Sequence, residues 1–461
     1  MAENAALDQV SLRFLGGAST VTGSKTLIET HQLKVLIDCG LFQGLKALRL
    51  LNWQAIDFNV AEIDAVILTH AHLDHVGYLP LLIKYGFKGS VYATQPTCDL
   101  ARIILLDSAK IQEEEARLAN LGGYTKHDPA QPLYTIKDSE NALKYFVSIE
   151  DKEWIALSSD FKFQLLRNGH ILGSTLVEVI CQGKKIVFSG DLGREHPLLL
   201  EPPVQVKEAD YLVLESTYGD RDHTKVPKDE ELGLLVTEAL MKKGNLIIPT
   251  FAVERAQEIM VILNSLKAKN LIPSTIPIYL DSPMGIDVTD VYLKYPGWHT
   301  LTSEECRMIS TETFHVKDIQ ETFAIMEDKR SKIIIAGSGM LSGGRALEYL
   351  KAYVGKSNTT VLFVGYQAEG TRGRAMLRGA KQVKIHGNYY EVRAQIREIS
   401  SFSGHADRTE LLGWVSHFEK KPKKIFLNHG EPKSSEALRI EIEEKFHIPC
   451  LVPLLNAKHV L

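Results

Sequence analysis

Cysteine is scarce in this chain: there are five in 461 residues, at positions 39, 98, 181, 306 and 450. They are odd in number, widely spaced and never in a Cys-x-x-Cys arrangement, which argues against a disulfide framework and a cysteine-based zinc site. A reducing, cytoplasmic setting is the expectation. Long apolar runs are missing as well. Nothing approaches the ~20 residues that cross a bilayer, and Met1 to Val10 lacks the basic-then-apolar pattern of a secretory leader. No membrane partner is expected. Charge of one sign is also lacking, with a net charge of only −4. A nucleic-acid partner would therefore have to be held by a local basic patch. Repeats and low-complexity tracts are absent.

What is present is a globular composition, 44% hydrophobic and 24% charged, in a chain long enough for two or three domains. Short strands alternate with loops in the first ~200 residues: Val10 to Leu15, Lys34 to Ile37, Ala65 to Leu68, Phe161 to Leu166, Thr175 to Ile180 and Lys184 to Ser189. Helical periodicity runs over Val76 to Tyr85 and Pro96 to Asn120. From about Asp210, apolar strands (Tyr211 to Glu215, Asn245 to Pro249, Ile276 to Leu280, Lys332 to Ala336, Thr360 to Val364) alternate with helical stretches. That alternation predicts a parallel sheet covered by helices. The polar, proline-containing stretch Gly122 to Ser139 reads as a loop or flap. The expected division is 1–208, 209–392 and 393–461, with the outer parts forming one discontinuous domain.

His70-Ala71-His72-Leu73-Asp74-His75 places four candidate metal ligands directly after the apolar run Ala65 to Leu68. Residues two apart on an extended chain share a face, so His70 and His72 can converge on one cation. Asp74 and His75 come where the chain turns and can serve a second. Imidazole with carboxylate suits Zn²⁺, with Mn²⁺ as a substitute. Three further strand-end residues complete a two-metal set: His170 in Gly169-His170-Ile171-Leu172-Gly173, Asp191 in Gly190-Asp191-Leu192-Gly193, and His429 in Asn428-His429-Gly430-Glu431. A workable allocation gives one ion His70, His72 and His170, and the other Asp74, His75 and His429. Asp191 bridges, because a carboxylate can offer one oxygen to each. Asp38, following Lys34 to Ile37, is the expected hydrogen-bond orienter of a ligating imidazole.

Asp38, the His70 to His75 cluster, His170 and Asp191 resemble the motif series of the metallo-β-lactamase superfamily. Glu215-Ser216-Thr217-Tyr218-Gly219, Phe402-Ser403-Gly404-His405-Ala406-Asp407 and Asn428-His429-Gly430-Glu431 resemble the three additional motifs of its β-CASP branch of nucleic-acid-processing nucleases. Thr250 to Arg255, Leu280 to Gly285 and Gly339 to Arg345 are similar to parts of that branch's inserted domain. The likeness extends to bacterial and archaeal relatives of the cleavage and polyadenylation specificity endonuclease. It implies an α/β fold: an αββα metallo-β-lactamase sandwich, discontinuous in sequence, with an inserted parallel-sheet β-CASP domain.

The same resemblance makes His405 the general acid, oriented by Glu215, with Asp191 and Asp74 also in the catalytic set. His429 tilts the substrate toward single-stranded RNA. The implied reaction is zinc-dependent hydrolysis of RNA phosphodiester bonds, endo- or 5′-exonucleolytic, leaving 5′-phosphate and 3′-hydroxyl ends. Ser403, Ser338 in the Gly337 to Gly344 loop, Arg372 and Arg374 are expected to meet substrate phosphates. The segment Gly370 to Ser400 carries seven Arg and Lys against two Glu, a local +5. Two rivals stay open: a small-molecule hydrolase on the same metal lobe, and a non-catalytic RNA-processing scaffold subunit. A homodimer is compatible with either.

Overall fold

A computed structural model describes residues 9–54, 59–122 and 128–461; the remaining positions, including most of Met1 to Val10 and part of Gly122 to Ser139, lie outside the described residues. The chain forms two compact units. The first draws on residues up to Pro197, on Glu201–Asp222 and on His405–Leu461; the second on Leu198–Leu200 and His223–Gly404.

The first unit is built from two seven-stranded sheets. One runs in the order Lys458–Val460, Ser11–Gly16, Lys25–Glu29, Lys34–Ile37, Ala65–Ile67, Ser90–Thr94, Phe146–Ile149. The other runs Cys450–Leu451, Lys424–Asn428, Tyr211–Glu215, Lys184–Phe188, Thr175–Cys181, Phe161–Arg167, Ile155–Ala156. Side-chain alternation decides how they stack. Val177, Val213 and Phe426 turn inward to a core shared with Phe14, Ile28 and Ile67 of the first sheet. Their neighbours Leu176, Leu212, Leu214, Ile425 and Leu427 turn outward onto Leu411, Trp414, Val415, Leu438 and Ile442 of two helices, Arg408–Ser416 and Pro432–Phe446. Helix Gln95–Gly122 packs against Ser90–Thr94 and Phe146–Ile149 of the other sheet. The result is an αββα sandwich.

The second unit holds a six-stranded sheet, ordered Phe314–His315, Ile278–Asp281, Ile333–Gly337, Leu246–Thr250, Thr360–Phe363, Gln395–Glu398. Every pairing is parallel. Ile333, Ile334 and Ile335 are buried in succession, as expected for a strand covered on both faces. A short antiparallel hairpin, Gln382–Ile385 with Asn388–Glu391, is attached to it.

The units divide at other points than the sequence pattern indicated. Tyr211–Glu215, expected in the inserted domain, pairs with Lys184–Phe188 and Lys424–Asn428, so it belongs to the metal-binding sandwich. Conversely, Gln395–Glu398, expected in the C-terminal part, adds to the second unit's sheet beside Thr360–Phe363. The expected helix over Val76 to Tyr85 is two short helices, Leu73–Val76 and Leu79–Lys84. The Gly122 to Ser139 stretch is not all loop: Thr135 and Asp138 form a capping box that starts helix Ile136–Ala142. No described helix is long and apolar enough to cross a membrane.

Candidate metal centre

Each candidate ligand stands just past a strand end or in the turn that follows. His70 and His72 follow Ala65–Ile67, and Asp74 and His75 lie in the single-turn helix Leu73–Val76. His170 follows Phe161–Arg167, Asp191 follows Lys184–Phe188, and His429 follows Lys424–Asn428 in a left-handed conformation (φ 51°). Gly190, at φ 54°, lets the Asp191 turn lie against Thr69; a Cβ there would sit 2.8 Å from that side chain.

These turns bring all seven residues together. In one cluster His72 Nδ1 lies 3.1 Å from His70 Nε2 and 3.2 Å from His170 Nε2. Asp191 Oδ2 is 3.3 Å from His70 Nε2 and 3.5 Å from His170 Nε2. In the adjoining cluster His429 Nε2 lies 3.3 Å from both His75 Nε2 and Asp74 Oδ2. Asp191 turns its other oxygen, Oδ1, to within 3.3 Å of His75 Nε2. One carboxylate thus faces both clusters, Oδ2 toward the first and Oδ1 toward the second.

The outer hydrogen bonds fix the ring orientations. Asp38 Oδ2 is 2.8 Å from His75 Nδ1, while its Oδ1 accepts from the Thr69 N–H at 2.8 Å. Thr69 Oγ1 stands 3.0 Å from His70 Nδ1, and Thr217 Oγ1 stands 3.3 Å from His429 Nδ1. Asn168 donates to the Ser189 and Asp191 carbonyls, holding the bridging turn. Thr69 and Asn168 escaped the sequence reading, and Thr217 entered it only within the Glu215 to Gly219 motif, with no role of its own. Each is a polar residue beside an apolar strand, and that was the available signal.

Electrostatics tests whether these residues fit a metal. Burial pulls His70 to about 3 and His72 to about 4, and holds His170 well below its ordinary value. Those rings are neutral, with lone pairs available to a cation. Burial would also lower His75, but the Asp191 and Asp38 carboxylates outweigh it and raise it well above the ordinary value. Burial would raise Asp191, yet the facing His429, His75 and His70 keep it well below the usual carboxylate range. Asp191 Oδ1 is buried without a hydrogen bond. Converging imidazole nitrogens and an orphaned carboxylate oxygen ask for positive charge, and these residues fit metal cations.

Beside the ligands lies a second pairing. Glu215, 2% exposed at the end of its strand, places Oε1 and Oε2 each 3.1 Å from His405 Nδ1. The Leu192 N–H donates to Glu215 Oε1 at 2.6 Å, fixing the carboxylate. Burial opposes charge on His405, but Glu215 outweighs it and lifts His405 to about 9. The His405 ring centroid is 4.5 Å from that of His170, and Asp191, Glu215 and His405 all present polar atoms within 4.8 Å of one another.

Ser403, Ser338, Arg372 and Arg374 all belong to the second unit. Ser338 Oγ accepts the Ser342 and Gly343 N–H groups, closing its own loop. Arg372 donates to the Lys384, Leu341 and Ser342 carbonyls, tying that loop to the hairpin. Part of the local +5 is offset from outside the segment: Arg374 and Arg378 share Glu369, and Arg397 pairs with Glu238, while Arg393 pairs with Glu391, which that count already includes.

Comparison with known proteins agrees with this architecture. The metallo-β-lactamase superfamily model matches residues 21–226, the Beta-Casp domain model residues 256–376, and the Zn-dependent metallo-hydrolase RNA specificity domain model residues 389–453. A ribonuclease of Thermus thermophilus is 35% identical, over 92% of this chain and 94% of its own length. The transcription termination factor FttA of Methanocaldococcus jannaschii is 32% identical, over 97% of this chain and 72% of its own length. A crystal structure of a protein of unknown function from Enterococcus faecalis V583 shares the fold, with a TM-score of 0.52 at 13% identity, over 98% of this chain and 100% of that one. The chain belongs to the β-CASP branch of the metallo-β-lactamase superfamily.

Proposed function

We propose that this protein is a two-zinc ribonuclease that hydrolyses single-stranded RNA to 5′-phosphate and 3′-hydroxyl products. The observation that carries the reading is the Glu215–His405 pair, set against the bridging Asp191 in one cluster. A small-molecule hydrolase on this metal lobe has no use for such a pair, and a scaffold subunit has no need of seven intact ligands.

His70, His72 and His170 would hold one cation, Asp74, His75 and His429 the other, with Asp191 between them. Two zinc ions bound there would supply Lewis acidity and an activated water near neutral pH. Glu215 keeps the His405 imidazole oriented and protonated. With Nδ1 bonded to that carboxylate, proton transfer to the departing 3′ oxygen would run through Nε2. Asp38 and Thr69 hold the ligating rings on axis. Ser403, Ser338, Arg372 and Arg374 are proposed contacts for RNA phosphates, the arginines within the constraints of their present partners. Both endonucleolytic and 5′-exonucleolytic action are compatible with this set, and a cytoplasmic site of action is proposed. Names carried by relatives, one a ribonuclease and another a transcription termination factor, support an RNA substrate.

The test uses zinc-loaded protein with single-stranded RNA labelled separately at the 5′ and 3′ ends, beside DNA of the same sequence and a chromogenic thioester. Cleavage of RNA leaving 5′-phosphate ends is expected. Turnover of the thioester with both nucleic acids intact would overturn the reading in favour of a small-molecule hydrolase.

A further inference from the structure

Lys25 opens the strand Lys25–Glu29 and is 4% exposed. Burying an ammonium is unfavourable unless its donors are satisfied. Here Nζ donates to the Gly40 carbonyl at 2.6 Å and the Gly23 carbonyl at 3.0 Å. The rings of Phe42 and Tyr78 flank it, with centroids 4.6 and 5.0 Å away. Its contacts are carbonyl oxygens and aromatic faces rather than a carboxylate.

The two segments it joins are those from which the Asp74 and His75 turn is suspended. The Ser24 N–H donates to the Asp74 carbonyl at 2.8 Å, and the Cys39 N–H donates to the His75 carbonyl at 2.6 Å. The Leu41 N–H donates to the Leu73 carbonyl at 3.1 Å, and the Gly40 N–H closes back on the Ser24 carbonyl at 3.0 Å. Packing is tight: a Cβ on Gly40 would fall 1.5 Å from the Asp74 carbonyl oxygen. None of these bonds involves His70, His72 or His170.

We infer that Lys25 is a positioning residue for one metal site only: by tying the Gly23 and Gly40 carbonyls together, it fixes the backbone that aims Asp74 and His75. The inference rests on the metal-site reading above and deepens it. Outer-shell supports of metal ligands are worth about 10–100-fold in affinity, and the same range is expected here.

The full-length protein, stripped of metal, is titrated with Zn²⁺ in competition with a chromophoric chelator. The wild type should show two sites per chain, the second identified by its loss in His429→Ala. Lys25→Met should leave the His70, His72 and His170 site unchanged and weaken the other about 10–100-fold. Lys25→Gln, which keeps a donor, should recover part of the loss. Equal weakening of both sites would mean a general effect on folding and would overturn the inference, as would two unaltered sites. If neither variant folds, amide hydrogen exchange of metal-free wild type decides: Ser24 and Cys39 protected supports the clamp, and exchange at open-loop rates overturns it. Wild type that fails to bind two ions would instead count against the metal-site reading.

Discussion

His75 and His429 lie 354 residues apart in the chain, yet their Nε2 atoms stand 3.3 Å apart. The contact exists because Lys424–Asn428 pairs in parallel with Tyr211–Glu215, bringing the last ligand to the turns that carry the earlier ones. His429→Ala should therefore lower the zinc content to about one ion per chain and abolish RNA cleavage while the fold survives. Mass spectrometry of the loaded variant and its circular dichroism check this; a content equal to wild type would contradict it.

His405 has a different part. It bonds Glu215, and its ring lies against the ligands without being assigned to either ion. His405→Ala is expected to retain both metals while RNA cleavage falls by about 10²–10⁴-fold, the usual range for loss of a general acid. Single-turnover cleavage with a parallel metal assay separates the two effects. Near-normal cleavage would remove His405 from the acid role.

Asp38 bonds His75 at Nδ1 directly and reaches His70 only through Thr69, whose hydroxyl donates to it. Asp38→Ala should weaken zinc at the His75 site by about 10–100-fold and leave the other site nearly intact. Competition with a chromophoric chelator gives both constants, and equal weakening of the two would count against this assignment.

Burial lowers Lys25 from 10.5 to about 8. The facing Cys39 thiol is pushed up to about 12 and Tyr78 is also raised, so neither titrates first. Between pH 8 and 10.5 the unfolded chain binds the Lys25 proton and the folded chain does not, so the contribution of Lys25 to folding stability rises with pH across that window. Metal-free wild type should gain stability relative to Lys25→Met as pH climbs from 7.5 to 10.5, measured by urea unfolding. A pH-independent difference would contradict this.

The sequence made some of this visible and hid the rest for identifiable reasons. The ligands were legible because each polar residue interrupts an apolar strand at its end, where a parallel or mixed sheet gathers ligands. Asp38 was legible on the same ground. The boundary near Tyr211–Glu215 was not, because its apolar texture matches that of the second unit's strands and only its partners reveal which sheet it joins. One offset to the basic segment was hidden because Glu238, the partner of Arg397, is far away in sequence. Lys25 was not singled out, since nothing local announces that Phe42 and Tyr78 will close over it.

Seven side chains are proposed to hold a pair of cations, and those cations can be counted. Native mass spectrometry of metal-free protein titrated with zinc should show two ions bound per chain, falling to about one in His429→Ala and in His170→Ala alike. Saturation of the wild type at one ion, or at none, would contradict the account.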